Sequence, residues 1–256
     1  MSRLSVVLGV RNEQKDIRDC LEKVKWADEI IVIDDSSTDN TVQICKEYTK
    51  KIFSFDSGGG NLNKNRSIGI NKCRNDWVLV LDADEVITLE LSEEIKKAIN
   101  SKFYIGYNIL RKNYFLGEWI QGCNWHPDYI IRLFKKNSVE WPSSGLHETL
   151  NIKDNNKIGY LKNAMLHYSY KTLDYYFEKF NRFTSRGAVE QYEKGIRVNK
   201  SNFMLYFIIK PVYFFFQKYF FYKGFKDGFR GFFISLSSAL VVFTTNSKLW
   251  EKQKNS

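Results

Sequence analysis

Trp77-Val78-Leu79-Val80-Leu81-Asp82-Ala83-Asp84-Glu85 is the stretch whose reading decides the fold. An apolar run rich in Val and closed by polar punctuation reads as a strand buried on both faces, the habit of parallel sheets. Two aspartates separated by one small residue then emerge at the strand's carboxyl end, where open α/β sheets bind ligands. Carboxylates placed there suit a hard divalent cation, Mg2+ or Mn2+, which in turn holds diphosphate oxygens. Taken alone, the acids equally describe a solvated turn or a helix cap.

Working outward, Glu29-Ile30-Ile31-Val32-Ile33-Asp34-Asp35 repeats the design, with Ser36-Ser37-Thr38-Asp39-Asn40-Thr41 following it. Thr38 or Asp39 reads as a cap for a helix beginning near Thr41. Asp34 and Asp35 are adjacent acids at a strand end, which repel unless a ligand or donor group uses them. An aspartate there accepts hydrogen bonds from a base N–H or a ribose hydroxyl. Ser5-Val6-Val7-Leu8-Gly9-Val10 supplies an earlier strand with Arg11-Asn12-Glu13 as its polar exit. Three strand ends thus place polar clusters at one sheet edge.

The pattern predicts strands near 4–10, 29–34, 51–55 and 77–81 and helices near 15–26, 38–50 and 62–74. This βαβαβαβ alternation makes a parallel sheet covered on both faces. Leu91, Ile95 and Ile99 give Leu89 to Ser101 a helical period, and 103–116 and 128–135 read as strands extending the sheet. Thr172 to Lys194 is expected to be a helix with Leu173, Tyr176, Phe177, Phe180 and Phe183 as its apolar face.

In combination, Arg11-Asn12-Glu13, Ile33-Asp34-Asp35-Ser36-Ser37-Thr38-Asp39-Asn40-Thr41, Lys64-Asn65-Arg66 and Asp76 through Glu85 resemble glycosyltransferase family 2. The resemblance covers roughly the first 150 residues. Gly145-Leu146-His147-Glu148-Thr149-Leu150 and Leu166-His167-Tyr168-Ser169-Tyr170 resemble the branch containing bacterial lipopolysaccharide-core glucosyltransferases. The resemblance implies an α/β fold: a single nucleotide-sugar-binding, GT-A, Rossmann-like domain with a mostly parallel central sheet, plus a helical C-terminal extension. It implies an inverting transferase using a UDP-sugar and Mn2+ or Mg2+, with glucose or another hexose passed to a cell-envelope glycan or lipid-linked acceptor.

On that resemblance Arg11, Asn12, Glu13, Asp34, Asp35, Lys64, Arg66 and Asp82 bind the nucleotide-sugar, and Asp82, Asp84 and His167 hold the metal. From the residues alone, Lys64 and Arg66 equally form a solvated helix face, and His167 is as readily structural. Gly58-Gly59-Gly60 allows close backbone approach to a ligand or a plain flexible turn. A carboxylate must take the proton of the attacking hydroxyl. Glu148, in a loop beyond the metal motif, is the favoured base and Asp128 its rival, because the family's Glu-Asp pair before a helix is absent. A structural Glu148 remains the alternative.

The 256 residues are enough for one large domain or two small ones, and the expected boundary lies at residue 200, with 201–256 a tail. Cys20, Cys45, Cys73 and Cys123 are scattered, without metal or disulfide spacing, and read as reduced cytosolic thiols. The N-terminus runs into a strand with no secretory signal. From Phe203 to Phe233, 15 of 31 residues are Phe or Tyr, with Lys210, Lys218, Lys223, Lys226 and Arg230 between them, so no uninterrupted apolar span is expected. Such a mixture suits a bilayer interface, and the net charge of +10 favours an anionic surface. The expected place is the inner face of the cytoplasmic membrane; core-packing helices are the alternative.

Two other classes use similar features. A metal-dependent sugar nucleotidyltransferase also pairs aspartates with Mg2+, but Val10-Arg11-Asn12-Glu13 stands where its glycine-rich basic loop belongs. A basic, aromatic chain can bind single-stranded nucleic acid, yet the acidic strand ends repel phosphate and no RNA-binding signature occurs. No nucleic-acid partner is expected.

Overall fold

The computed structural model describes residues 2–56, 62–140 and 151–255. The chain begins β1 (Leu4–Val10), α1 (Ile17–Val24), β2 (Glu29–Asp34), α2 (Thr41–Cys45), β3 (Ile52–Ser54), α3 (Leu62–Lys72), β4 (Trp77–Leu81) and β5 (Glu85–Val86). It continues α4 (Leu89–Ala98), β6 (Gly106–Phe115), β7 (Glu118–Trp119), β8 (Asp128–Lys135), β9 (Val139–Glu140), β10 (Asn151–Ile152) and β11 (Ile158–Tyr170). Helices α5 (Leu173–Glu193), α6 (Lys210–Phe216) and α7 (Gly228–Lys254) follow.

The main sheet has the order β3-β2-β1-β4-β8-β6-β11-β5, with β7 added to β6. Pairing is parallel from β3 to β4 and antiparallel where β8 joins β4 and β6. Side chains alternate between faces along each strand, and the apolar set sorts accordingly. Val6, Leu8, Val32, Leu79 and Leu81 pack against α1 and α4. Val7, Ile31, Ile33, Val78 and Val80 pack on the other face with Ile70 and Cys73 of α3. A one-residue slip would exchange these faces, so burial pins the register. Gly69 lets α3 lie close: a Cβ there would stand 2.4 Å from Val7 Cγ1.

The chain divides into two compact units: residues 1–112 with 128–167, and residues 113–127 with 168–256. Along the sequence the chain passes between them after Lys112, after Pro127 and after His167. In the first unit, Thr88 caps α4 by accepting from Leu91 N at 3.2 Å, and Leu91 and Ile95 are buried as their spacing predicts.

In the second unit, α7 packs along α5 and α6. Asp227 holds the segment before β8 by accepting from Gln121 N at 3.0 Å and Gly122 N at 2.7 Å. The apolar face expected for α5 is only partly correct. Tyr176 packs among Phe115, Tyr170 and Phe233, but Phe177 and Phe183 are exposed, and the buried positions are Thr184 and Ala188. The reason is α7, whose inward side carries small and polar residues such as Ser235, Ser237, Ala239, Thr245 and Asn246. Lys248 Nζ donates to Asn181 Oδ1, Thr184 Oγ1 and Ser185 Oγ across that seam.

Ile234 and Leu249 of α7 are also buried, while Phe229, Phe232, Leu236, Leu240, Phe243 and Trp250 are exposed. The expectation that no span is long enough also needs correction. Residues Gly224–Lys254 are helical, with a window of mean hydropathy 1.4, and by length and composition alone suffice to cross a membrane. Serines and threonines, rather than charges, interrupt the stretch between Arg230 and Lys248.

Candidate active site

The carboxyl ends of β1, β2 and β4 carry the polar clusters, and their geometry assigns different work to residues that look alike in sequence. Ile33 faces α3, so alternation sends Asp35 to that face and Asp34 to the opposite one. Asp34 is buried and accepts from Ser37 N at 3.3 Å, closing its own turn. Asp35 is fully buried, with Arg11 Nη1 3.7 Å from its Oδ2. The adjacent acids thus escape mutual repulsion by leaving on opposite sides.

Asn12 ties the β1 and β2 exits together. Its φ of 54° lies in the left-handed region that Asn tolerates. Its N–H donates to Ser37 Oγ at 3.0 Å, and its Oδ1 accepts from Thr38 N at 2.8 Å. Glu13 N donates to Thr41 Oγ1 at 2.7 Å. Asp39 accepts from Thr41 N at 3.0 Å and Gln14 N at 3.2 Å, so it braces the start of α2 while Asn40 occupies the cap position.

Asp82 follows Val80 on the α3 face. One of its oxygens pairs with Arg66 and the other, Oδ2, accepts from Arg132 Nη2 at 2.6 Å. The same Arg132 nitrogen donates to Glu85 Oε1 at 2.8 Å, and Arg111 Nη1 lies 3.3 Å from that atom. Glu85 Oε2 accepts from Asp82 N at 3.0 Å, which fastens the turn after β4. Burial opposes the charged form of Asp82, but Arg132 and then Arg66 overcome it and hold this carboxyl far below the usual carboxylate range. Burial likewise opposes the charge on Arg132, while Asp82 and Glu85 hold its pKa above the ordinary value.

The local sequence offers no cation to compete for the Asp82–Asp84 pair; the fold imports two. Asp84 and His167 are the pair brought together. Strand β5, directly after the acids, pairs antiparallel with β11 in the register Glu85 to His167. His167 Nε2 thereby stands 3.6 Å from Asp84 Oδ2, with both side chains about one-sixth exposed. One carboxylate and one imidazole supply two ligands of a kind that suits Mn2+. Among the described residues no group of three His, Cys, Asp or Glu side chains is gathered for a metal. The remaining coordination would come from ligand oxygens, so the residues fit a cation that binds with a diphosphate.

Lys64 is exposed, its ammonium 5.0 Å from the centre of the Phe55 ring. Asp128 pairs with Arg111, Nε to Oδ2 at 2.8 Å. Glu148, with Gly145 to Leu150 and Gly58-Gly59-Gly60, lies outside the described residues. Sequence reasoning passed over Arg111, Arg132 and Glu85. Arg132 did leave a signal, since it interrupts the apolar strand Ile130-Ile131-Arg132-Leu133-Phe134. A buried arginine there demands acidic partners.

The family model for glycosyl transferase family 2 matches residues 5–170, well over half of the chain. The chain belongs to glycosyltransferase family 2. It is a transferase, and the nucleotidyltransferase reading falls away. An uncharacterized glycosyltransferase of Rickettsia typhi is 30% identical over 98% of this chain and 88% of its own length. The lipopolysaccharide core biosynthesis glycosyltransferase LpsC of Rhizobium meliloti is 23% identical over 97% of this chain and 92% of its own. The crystal structure of S. aureus TarS 1–349 matches with a TM-score of 0.50 at 14% identity, covering 99% of this chain and 92% of that one. That likeness bears on the fold, which is GT-A.

Proposed function

We propose that the protein is an inverting glycosyltransferase moving a hexose, such as glucose, from a UDP-sugar to a hydroxyl of a cell-envelope glycan or lipid-linked acceptor. The observation carrying this reading is the row of Arg11–Asp35, Arg66–Asp82–Arg132 and Asp84–His167 pairs along one edge of the parallel strands. LpsC, by its name a lipopolysaccharide-core enzyme and similar along nearly the whole chain, supports the acceptor class. Asp35 binds the nucleoside, with Arg11 orienting it. Arg66 and Lys64 face the diphosphate. Asp84 and His167 would hold Mn2+ or Mg2+, which when bound supplies Lewis-acid stabilisation of charge on the departing diphosphate.

The acceptor hydroxyl attacks the anomeric carbon from the face opposite the nucleotide. Its oxygen forms the new glycosidic bond, the old carbon–oxygen bond breaks, and its electron pair leaves on the nucleoside diphosphate. A carboxylate takes the hydroxyl proton. Glu148 is the favoured base, because Asp128 already holds Arg111 and would weaken that pair on taking a proton. Glu148→Gln is expected to lower kcat roughly 10²-fold or more with donor affinity nearly unchanged. Near-normal turnover in that variant, with the loss appearing in Asp128→Asn, reverses the roles. A donor screen tests the whole reading: hydrolysis and thermal shift across UDP-, GDP- and dTDP-hexoses, where only a bound donor raises the melting temperature with concentration. A chain that responds to none of them refutes it.

The second unit attaches the enzyme to an anionic membrane face without crossing it. Besides its buried clusters around Phe115, Ile234 and Leu249, the unit leaves many large apolar side chains exposed, among them Phe203, Phe216, Phe220, Phe221 and Phe229, a surface that suits a bilayer interface. Helix α5 keeps Glu178, Arg182 and Arg186 exposed while packed on α7, which favours lying on the surface over spanning it. Not every basic residue is available to lipid. Lys218 Nζ donates to Cys123 O at 3.0 Å and Arg230 to Leu116 O at 3.0 Å, leaving Lys223 and Lys226 exposed. Each exposed cation near anionic lipid adds about 1 kcal/mol. Lys223→Gln with Lys226→Gln is expected to weaken flotation with anionic liposomes roughly ten-fold or more. Phe221→Ser with Phe229→Ser should abolish it. Flotation unchanged in both, or absent in the parent chain, rules the attachment out.

A further inference from the structure

Asn65 is fully buried in α3, and among the described residues neither its Oδ1 nor its Nδ2 has a hydrogen-bond partner. A buried carboxamide left unpaired is costly, and folds keep one only where something else satisfies it. Its place narrows what that is. Gly69, one turn later on the same helix, rests on Val7, and Asn65 rests on Gly9, whose added Cβ would meet Asn65 Cβ at 3.5 Å. Gly9 pairs in register with Ile33, and the next residues on this face are Arg11 and Asp35. Asn65 therefore faces the sheet at the strand exit where Asp35 and Arg11 meet at 3.7 Å. Lys64 before it is exposed, Arg66 after it pairs with Asp82, and Arg11 is 42% exposed, so solvent reaches the groups around it.

Resting on the reading of a nucleoside diphosphate donor, we propose that the Asn65 carboxamide reads the donor's base. It pairs with a C=O next to a ring N–H, the edge that uracil presents: Nδ2 donates to the carbonyl oxygen and Oδ1 accepts from the N–H. Both orphaned atoms are satisfied at once, and neither side carries a charge that burial would penalise. A cation such as Arg or Lys at this position would supply donors only. Asn offers one donor and one acceptor side by side, matching that edge in the way carboxamides match bases in nucleic-acid recognition. The contact with Gly9 is made by the Asn65 Cβ, which Ala would keep, so that contact does not explain an amide here.

The test is a cycle of Asn65→Ala against UDP and its N3-methyl derivative, with binding measured by calorimetry. In the parent protein, methylation at N3 is expected to weaken UDP on the order of ten-fold or more. In Asn65→Ala, UDP itself is weaker by a similar factor and methylation adds much less, because the two changes remove the same contact. Inorganic diphosphate binds both proteins alike. Removing an unpaired buried amide also leaves the ligand-free melting temperature unchanged or raised, whereas a structural hydrogen bond would lower it. Full additivity of the two changes, or a lowered melting temperature with UDP affinity intact, overturns the inference. No binding of UDP to the parent protein refutes the donor reading itself, and this inference with it.

Discussion

Asp84→Asn is expected to lower glycosyl transfer roughly 10³-fold while the melting temperature stays within about 2 °C of the parent. The size follows from what the side chain faces. Of the acids after β4, Asp82 and Glu85 are engaged by arginines, and Asp84 is the one set against His167 at 3.6 Å. Asn keeps the shape and one oxygen but removes the charge that a divalent cation requires. Among the described residues the Arg66, Arg111 and Arg132 pairs run through Asp82, Glu85 and Asp128, so the fold is expected to tolerate the change. Three measurements check this: turnover with and without chelator, calorimetry of Mn2+ in the presence of UDP, and thermal melting. Full turnover of the parent in excess chelator sinks the expectation, as does undiminished Mn2+ affinity in the variant. His167→Ala should fall between the two, since it removes one ligand and leaves the carboxylate.

The parallel half of the sheet was legible because its signals are local. An apolar run closed by polar residues marks each of these strands, and β1, β2 and β4 follow such runs closely. Helix α5 shows where local signals stop. Its limits agree with the cap at Thr172, but its buried side could not be read from Phe177 and Phe183, which stay outside. An aromatic residue implies burial only when water is the sole alternative. In this helix Thr184 and Ala188 pack inside while Phe177 and Phe183 stay exposed, the arrangement the proposed membrane attachment would use.

The site was legible in its acids and not in its bases. Asp34 and Asp35 are equivalent in a motif, and only the alternation of faces, referred to the position of α3, separates a turn-closing acid from one beside Arg11. Arg132 and Arg111 reach the acids through antiparallel pairing with strands far along the chain, and no spacing rule predicts that juxtaposition. His167 was accessible only through its motif; the physical cause of its placement is the two-residue strand β5, too short to announce itself. Asn65 sat inside Lys64-Asn65-Arg66, where the two charges drew attention away from the neutral amide between them.

Arg132→Met is expected to destabilise the first unit by about 3–5 kcal/mol, because it leaves the buried Glu85 and the partly buried Asp82 short of a partner. Arg132 is 3% exposed and spans Asp82 and Glu85 with one nitrogen. After the change Asp82 retains Arg66, and Glu85 retains Arg111 at a longer 3.3 Å. The expected fall in Tm is roughly 10 °C. The pH dependence has a definite sign. A carboxylate whose folded pKa lies below its unfolded value, about 3.9 for Asp, stabilises the fold above that value and loses this contribution as pH falls through the folded one. Since Arg132 and Arg66 together hold Asp82 low, the parent keeps this contribution into strongly acid solution. In Arg132→Met the folded pKa of Asp82 rises toward 3.9, so the acid-unfolding midpoint moves to higher pH. Arg132→Lys should recover part of the Tm, since it restores the charge beside both acids but not the reach and planar packing of the guanidinium. Adding Glu85→Gln to Arg132→Met should restore more, because it removes one of the uncompensated charges. If Arg132→Met melts like the parent and its acid midpoint does not move, the buried arginine is not what anchors the acids of this strand end.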